Sequence, residues 1–363
     1  MAKRWIGTAV IAACLAMVGQ VQAQGWPGYG ECSASGMGGG GGEWTPGPMP
    51  TKMAPPGPGG DLSISADAPN AFDGCSRCDR PCYCPNGMWF SAAGLGWTMR
   101  DPHTAFPVVV PGGPTFGQNV LEYHYFAGFQ GDAGFWLNTC RTISAEGGGF
   151  VLESNGATFA LPPDSLQAAS RLWGVQGNLV YVGGLCGCDI AFLGGYAYRD
   201  LAESIDINVA LPAPPPGNIG PDHFRTRNQL SGGNFGIRLG GVGCHGLFIG
   251  GQATIAFGWN HETAVVSGET FTGATITPGG LFATAANSGR LAQDKFAYVP
   301  QGEIRIGCQL SRNCMIYGGY TYLYWREVAR PGDLIPPVPG GQVQIHQVDF
   351  WAQGAQLGFE LRY

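Results

Sequence analysis

Asp349-Phe-Trp-Ala-Gln-Gly-Ala-Gln-Leu-Gly-Phe-Glu-Leu-Arg-Tyr363, the last stretch of the chain, alternates between two kinds of side chain and ends on an aromatic ring. In an extended strand Trp351, Ala355, Leu357, Phe359, Leu361 and Tyr363 share one face, and Gln356, Gly358, Glu360 and Arg362 share the other. A soluble sandwich would turn the charged face to water. A barrel in a membrane would turn it to the lumen and give the apolar face to lipid. The spacing Gln356-x-Gly358-x-x-Leu361-x-Tyr363 also matches the C-terminal signal read by outer-membrane assembly machinery: a polar residue, a glycine, then two hydrophobic residues, the last aromatic.

Composition points the same way. Charged residues make up 12% of the 363, about half of the ~25% usual in soluble proteins, while Gly supplies 62 positions. The net charge of −6 and the lack of any Lys/Arg run exclude nucleic acid as a partner. Lys3 and Arg4, an apolar run over residues 6–18 and Val21-Gln-Ala23 have the three regions of a secretory signal, with cleavage after Ala23. Ile11-Ala-Ala-Cys14 resembles a lipoprotein cleavage box, but it interrupts the apolar run halfway. Beyond Val18 no segment approaches the ~18 consecutive apolar residues of a membrane helix, which leaves the periplasm or an outer-membrane barrel as destinations.

After the signal, residues 24–74 read as a disordered Gly/Pro-rich linker, with glycine throughout 38–42 and Pro46, Pro48, Pro50, Pro55, Pro56 and Pro58. Residues 75–86 follow as a cysteine-rich periplasmic segment, Cys75-x-x-Cys78-x-x-x-Cys82-x-Cys84. Cys-x-x-Cys is a zinc spacing, but Cys82-x-Cys84 is too tight for the usual knuckle and an exported chain meets oxidising conditions, so disulfides are favoured.

From residue 87 onward the pattern predicts an all-β, closed antiparallel transmembrane barrel of about ten strands, with twelve as the alternative. The strands are expected near 88–99, 123–137, 142–152, 169–183, 188–202, 223–241, 246–260, 294–308, 314–327 and 348–363. Most exceed the ~9–11 residues that a tilted strand needs to cross a bilayer. The connections alternate: long and Pro/Gly-rich, such as 100–122 and 260–293, then tight, near 138–141, 184–188, 243–246 and 309–313. Long outer loops with short periplasmic turns are a barrel property that a sandwich does not predict.

The faces give a lumen. Leu247, Ile249, Ala253, Ile255, Phe257 and Trp259 are expected outward against Gln252, Thr254 and Asn260, and Ile190, Phe192, Tyr196 and Tyr198 outward against Asp189 and Arg199. The interior then collects Asp132, Asp189, Glu303 and Glu360 with Arg199, Arg238, Arg305 and Arg362, a balanced set expected to pair across a narrow lumen rather than line a wide pore. Gly94, Gly96, Gly128, Gly134, Gly232, Gly236, Gly250 and Gly258 are expected inward on a strongly curved wall. Unpaired backbone groups in hydrocarbon cost several kcal/mol each, so the last strand must close on the first, where Trp89, Ala93, Leu95 and Trp97 supply the expected outward face.

Cys140, Cys186, Cys188, Cys244, Cys308 and Cys314 all fall at the short turns, which predicts a periplasmic disulfide cluster with Cys75, Cys78, Cys82 and Cys84, and a bridge Cys308–Cys314 across one hairpin. Loss of residues 1–23 leaves eleven cysteines, so one is unpaired or bonds another chain; Cys32 is the candidate. Five histidines sit beside carboxylates near outer strand ends: Asp101 and His103, Glu122 and His124, Asp222 and His223, His261 and Glu262, His346 and Asp349. Carboxylate-oriented histidine suits general base catalysis, and the omptin outer-membrane proteases carry acidic and histidine residues at the outer mouth of a ten-stranded barrel. Polar residues also gather wherever strands leave lipid, and no motif fixes a catalytic pair here, so no catalytic, cofactor or metal residues are assigned.

Three stretches carry a family resemblance: Asn287-Ser-Gly-Arg290 through Phe296-Ala-Tyr-Val-Pro300; Tyr317-Gly-Gly-Tyr-Thr-Tyr-Leu-Tyr-Trp325 with Val328-Ala-Arg-Pro-Gly-Asp333; and Asp349 to the aromatic end. On these the region from about residue 87 to the end resembles the seventh family of beta-barrel porins of planctomycete bacteria. The resemblance implies an outer-membrane barrel and carries no catalytic or binding residues; the turn cysteines are outside its pattern. The sequence thus predicts a non-enzymatic outer-membrane protein of structural or porin-like role, with outer-membrane lipid and the barrel assembly machinery as partners and no cofactor. An adhesion barrel working through its outer loops, or an omptin-like hydrolase, are the alternatives.

Overall fold

A computed structural model describes residues 87–363 apart from 111–114, 119, 140, 186–187, 210–217, 243–246, 312 and 339. The strands in chain order are β1 Met88–Met99, β2 Val108–Val109, β3 Thr115–Phe116, β4 Phe126–Trp136, β5 Ile143–Leu152, β6 Asn155–Leu161, β7 Asp164–Leu185, β8 Cys188–Asn208, β9 Asn218–Val242, β10 Leu247–Thr272, β11 Thr275–Pro278, β12 Gly289–Ser311, β13 Cys314–Ala329 and β14 Gln347–Arg362. Ten of them close into an antiparallel ring, β1-β4-β5-β7-β8-β9-β10-β12-β13-β14 and back to β1. The main sheet counts twelve strands only because β6 and β11 are hairpin extensions, paired to β7 and β10 alone. β2 and β3 form a small separate ladder in the loop after β1.

Closure runs the length of β14. Trp89 lies opposite Arg362, Leu95 opposite Gln356 and Met99 opposite Ala352, and at the rim Tyr363 N–H donates to the Met88 carbonyl at 2.8 Å. Strand ends at the short turns agree with the sequence reading. At the outer end β7 to β10 and β12 run further than expected, to between 21 and 26 residues, so their walls continue beyond the thickness of a bilayer. Leu179, Phe192, Ile304 and Leu357 are more than half exposed on the outer surface, the band that lipid covers.

Two face assignments are corrected. Register partners share a face, and Gln356 is buried inside, so its partner Leu95 also faces the lumen, as do Trp89, Ala93 and the fully buried Trp97. The outward residues of β1 are Met88, Phe90, Gly94 and Gly96; a Cβ at either of those glycines would meet nothing within 4 Å. The other six glycines do face inward, and Gly232 and Gly258 lie opposite each other so closely that a Cβ at Gly258 would approach Gly232 Cα to 2.7 Å.

The Cys308–Cys314 bridge is also overturned: both thiols are free. The register sets Cys308 opposite Ile316 and Cys314 opposite Ser311, so a bulge separates the two sulfurs from the directly facing geometry a disulfide needs. Cys32, Cys75, Cys78, Cys82, Cys84, Cys140, Cys186 and Cys244 lie outside the described residues, as do the signal, linker and cysteine-rich segments; Cys188 and Asp189 are described by backbone alone.

Candidate functional site: a charged lumen under an apolar plug

Near the short turns the lumen is polar. Arg238 on β9 reaches across to Glu146 on β5 in a two-bonded fork of 2.9 and 2.7 Å, and its Nε donates to Gln252 at 2.8 Å. Arg305 lies 3.9 Å from Asp132, pairs with Glu303 and stacks 4.9 Å over the Tyr317 ring; Glu303 also accepts from Gln356. Ser91 and Gln130 donate to Asp132 at 3.3 and 3.0 Å. Arg199 donates to Gln176 and Gln301 at 3.0 and 3.4 Å. Glu360 and Arg362 pair with each other at 2.6 Å. The side chains lie flat because glycine gives them room: a Cβ at Gly148 would collide with Asp132, and one at Gly174 would come within 2.5 Å of Arg199 Cδ.

Sequence reasoning placed Gln252 inward but missed Glu146 and the amides of Gln176 and Gln301. Glu146 stands beside Gly147-Gly-Gly149, where no apolar partner marks the parity, and a ledger of charges alone passes over glutamine. The available signal was register, since Glu146 lies opposite Gly134, on the same inward face as Asp132. The terminal signal residues are split: Gln356 is buried in the lumen, Gly358 packs against Ala92 and Ala93, Leu361 pairs opposite Phe90, and Tyr363 is 74% exposed at the rim.

Further out the lumen is apolar. A continuous buried cluster includes Trp97 of β1, Phe126 of β4, Leu152 of β5, Leu172 of β7, Leu201 of β8, Leu230 of β9, Ala264 of β10, Val299 of β12, Trp325 of β13 and Phe350 of β14, one from each wall strand. Loop residues complete it: Val108, Val110, Phe116, Leu121 and Tyr123 from one segment, Phe282 and Ala283 from another, Leu334 and Ile335 from a third.

Polar contacts fix these loops inside. The bulge between Trp325 and Val328 turns the end of β13 inward, with Glu327 at φ 59°. Ala329 is then held on both backbone groups by Asn228 of β9, each at 2.9 Å. Arg330, 1% exposed, forks onto the fully buried Glu203 of β8 at 2.7 and 2.9 Å, and donates to the carbonyls of Asp101 and Arg100 at 3.0 and 3.1 Å. A short 3-10 helix, Pro331–Leu334, continues into the plug, with Gly332 so close to the His103 carbonyl that no side chain would fit. Asp222 accepts from the N–H groups of Phe282 and Ala283, and Asn287 donates to the carbonyls of Phe282 and Gly341.

Two of the five expected histidine pairs, Asp222 with His223 and His261 with Glu262, are separated, because neighbours along a strand point to opposite faces. His223 bonds Asp206 at 2.5 Å and His261 bonds Asp294 at 2.6 Å, both on the outer wall. Asp222 and Glu262 face inward instead, and Glu262 accepts from Asn260, Gln293 and Gln347. His103 faces Asp333 at 3.7 Å in the plug, while Asp101 accepts from Tyr123 N–H. Burial, with Arg330 and Arg100 nearby, pushes His103 down to about 4; burial outweighs the pull of Arg330 and lifts Asp333 to about 6. Among the described residues no group of three His, Cys, Asp or Glu side chains could hold a metal ion.

Several solved barrels are similar in fold. The outer membrane protease OmpT from Escherichia coli is 11% identical over 77% of this chain and 97% of its own, with a TM-score of 0.43. The translocator domain of the autotransporter NalP from Neisseria meningitidis is 10% identical over 81% and 92%, at 0.34. The P. putida toluene transporter TodX is 8% identical over 77% and 90%, at 0.29. No curated protein sequence matches. The family described as putative beta barrel porin-7 (BBP7) matches residues 167–363, more than half of the chain. With its closed ten-stranded ring and lipid-facing apolar band, this chain is an outer-membrane β-barrel protein and belongs to that porin-7 family.

Proposed function

We propose that this is a non-enzymatic structural barrel of the outer membrane whose lumen is shut at its outer end, so that solute passage requires displacement of the plug. The observation that carries the reading is Arg330, clamped to Glu203 on the wall and to two loop carbonyls inside the apolar cluster. A wide water path would hydrate this cluster and strip an ion pair that is buried on both sides. The chain reaches its membrane through the secretory pathway after loss of residues 1–23, and the assembly machinery reads Gln356, Gly358, Leu361 and Tyr363. The cysteine-rich segment 75–86 belongs to the periplasm, with Cys32 available to another chain.

Liposome swelling tests the reading. Vesicles holding the refolded protein should shrink and stay shrunken in small sugars, as empty vesicles do, whereas vesicles with Arg330→Ala should re-swell. Swelling by the unmodified protein at a porin-like rate would contradict it.

A further inference from the structure

Above the lipid-facing band, the outer wall of β7 to β12 carries arginines that the lumen network does not use. Arg171 lies across Ala202 from Arg227. One layer further out, Arg225 lies across Val265 from Arg290. Arginines separated by one intervening strand stand roughly 10 Å apart at the backbone, given the ~4.8 Å strand spacing. The residues between them, Ala202, Ser204, Thr263 and Val265, are short enough to leave the guanidinium groups uncovered.

The local acids are already engaged. The buried carboxylate of Asp200 is taken by Arg227 at 2.7 Å, Asp294 by His261 and Asp206 by His223. Arg171, Arg225 and Arg290 are exposed and have no hydrogen bond or ion pair among the described residues. Three full positive charges are therefore left on one side of the barrel.

Their height identifies the partner. Trp173 packs on Tyr198 at 5.3 Å and Trp259 on Phe296 at 6.2 Å, on the same outward face, and Trp259 is 63% exposed. Aromatic girdles of this kind sit where hydrocarbon meets headgroups. Arg171 is one outward-facing position beyond Trp173, and Arg227 is two beyond Ser231, the register partner of Trp259. At ~3.3 Å per residue on a tilted strand this puts Arg171 and Arg227 roughly 5 to 10 Å above the girdle, and Arg225 and Arg290, one outward position further, roughly 15 Å above it, spanning the headgroup layer. Guanidinium forks match phosphate oxygens in geometry and charge.

We propose that Arg171, Arg225, Arg227 and Arg290 form a docking site for a phosphate-bearing lipid headgroup of the outer leaflet. Arg227, held by Asp200, is the fixed member, and the other three close on the phosphates from both sides. The site rests on the membrane orientation assigned above but not on the state of the lumen.

Native mass spectrometry of the full-length protein in neutral detergent tests the site, with a diphosphorylated glycolipid as probe and its dephosphorylated form as comparison. The phosphorylated lipid should bind at least roughly tenfold more tightly, and a triple variant Arg171→Gln, Arg225→Gln, Arg290→Gln should lose that margin. Arg326→Gln should retain it, since Arg326 is an outer-wall arginine already occupied by Glu327 and Tyr298. Heat-dependent gel mobility confirms that each variant is folded. Equal binding of the two lipids, undiminished binding by the triple variant, or equal loss with Arg326→Gln would overturn the site. So would inorganic phosphate binding as tightly as the lipid. Lipid binding in detergent is read independently of solute passage, so either result stands apart from the swelling assay.

Discussion

Arg330 and Glu203 form an ion pair with almost no exposed surface on either side, and the Arg330 guanidinium lies 5.8 Å over the Phe350 ring. Such pairs gain little over an apolar substitute, but removing one partner strands the other charge and costs about 3–5 kcal/mol. Arg330→Ala and Glu203→Ala should therefore each lower stability by that order, while Arg330→Met with Glu203→Leu recovers much of the loss; chemical denaturation of the refolded barrel measures both. His103 and Asp333 add a pH dependence of opposite signs. His103, lowered in the fold, contributes stability above its unfolded value of 6.5 that is lost as pH falls towards about 4. Asp333, raised in the fold, contributes stability at low pH that is lost as pH rises through about 6. The two offset each other in the unmodified chain. Asp333→Asn should expose the first, so that the thermal midpoint falls between pH 6.5 and 4.5, and His103→Gln should expose the second, so that it rises over the same interval. Neither pairing was legible in the sequence, because Arg330, His103 and Asp333 come from segments outside the wall strands, whose neighbours, Glu203 of β8 among them, are set only by closure.

At the scale of elements, the strands and their short turns were readable because a wall with lipid on one side and charges on the other imposes a period of two. β1 shows where that reasoning stops. Its outer half gives only Gly94, Gly96 and Thr98 to the outside and turns Leu95, Trp97 and Met99 into the plug, so the large apolar residues that elsewhere mark the lipid face mark the inside here. The plug was hidden for a related reason: its segments are rich in proline and glycine and read as loops, although Val328-Ala-Arg-Pro-Gly-Asp333 is what the bulge of β13 drives inward. Glu327 stands in that bulge at φ 59°, a conformation that costs a non-glycine residue about 1–2 kcal/mol. Glu327→Gly should raise stability by up to about 1 kcal/mol despite loss of its exposed contact with Arg326, and an unchanged or lower denaturation midpoint would show that the bulge is not strained.

For the whole molecule, closure and occlusion are separate properties with separate residues. Closure depends on the ladder between β1 and β14, ending at Tyr363 on the rim. A charge near the interface costs a folded barrel only about 0–1 kcal/mol, so Tyr363→Asp should sharply reduce the folded yield while the molecules that do fold keep nearly normal stability. Heat-dependent gel mobility separates the two quantities. Occlusion depends on the apolar plug, and the lumen charges below it pair with each other rather than line an open path. The direct measurement is single-channel recording across a planar bilayer. The unmodified protein should insert without conductance steps, and Glu203→Ala or Arg330→Ala should produce openings; steady, large openings from the unmodified protein would contradict a sealed barrel.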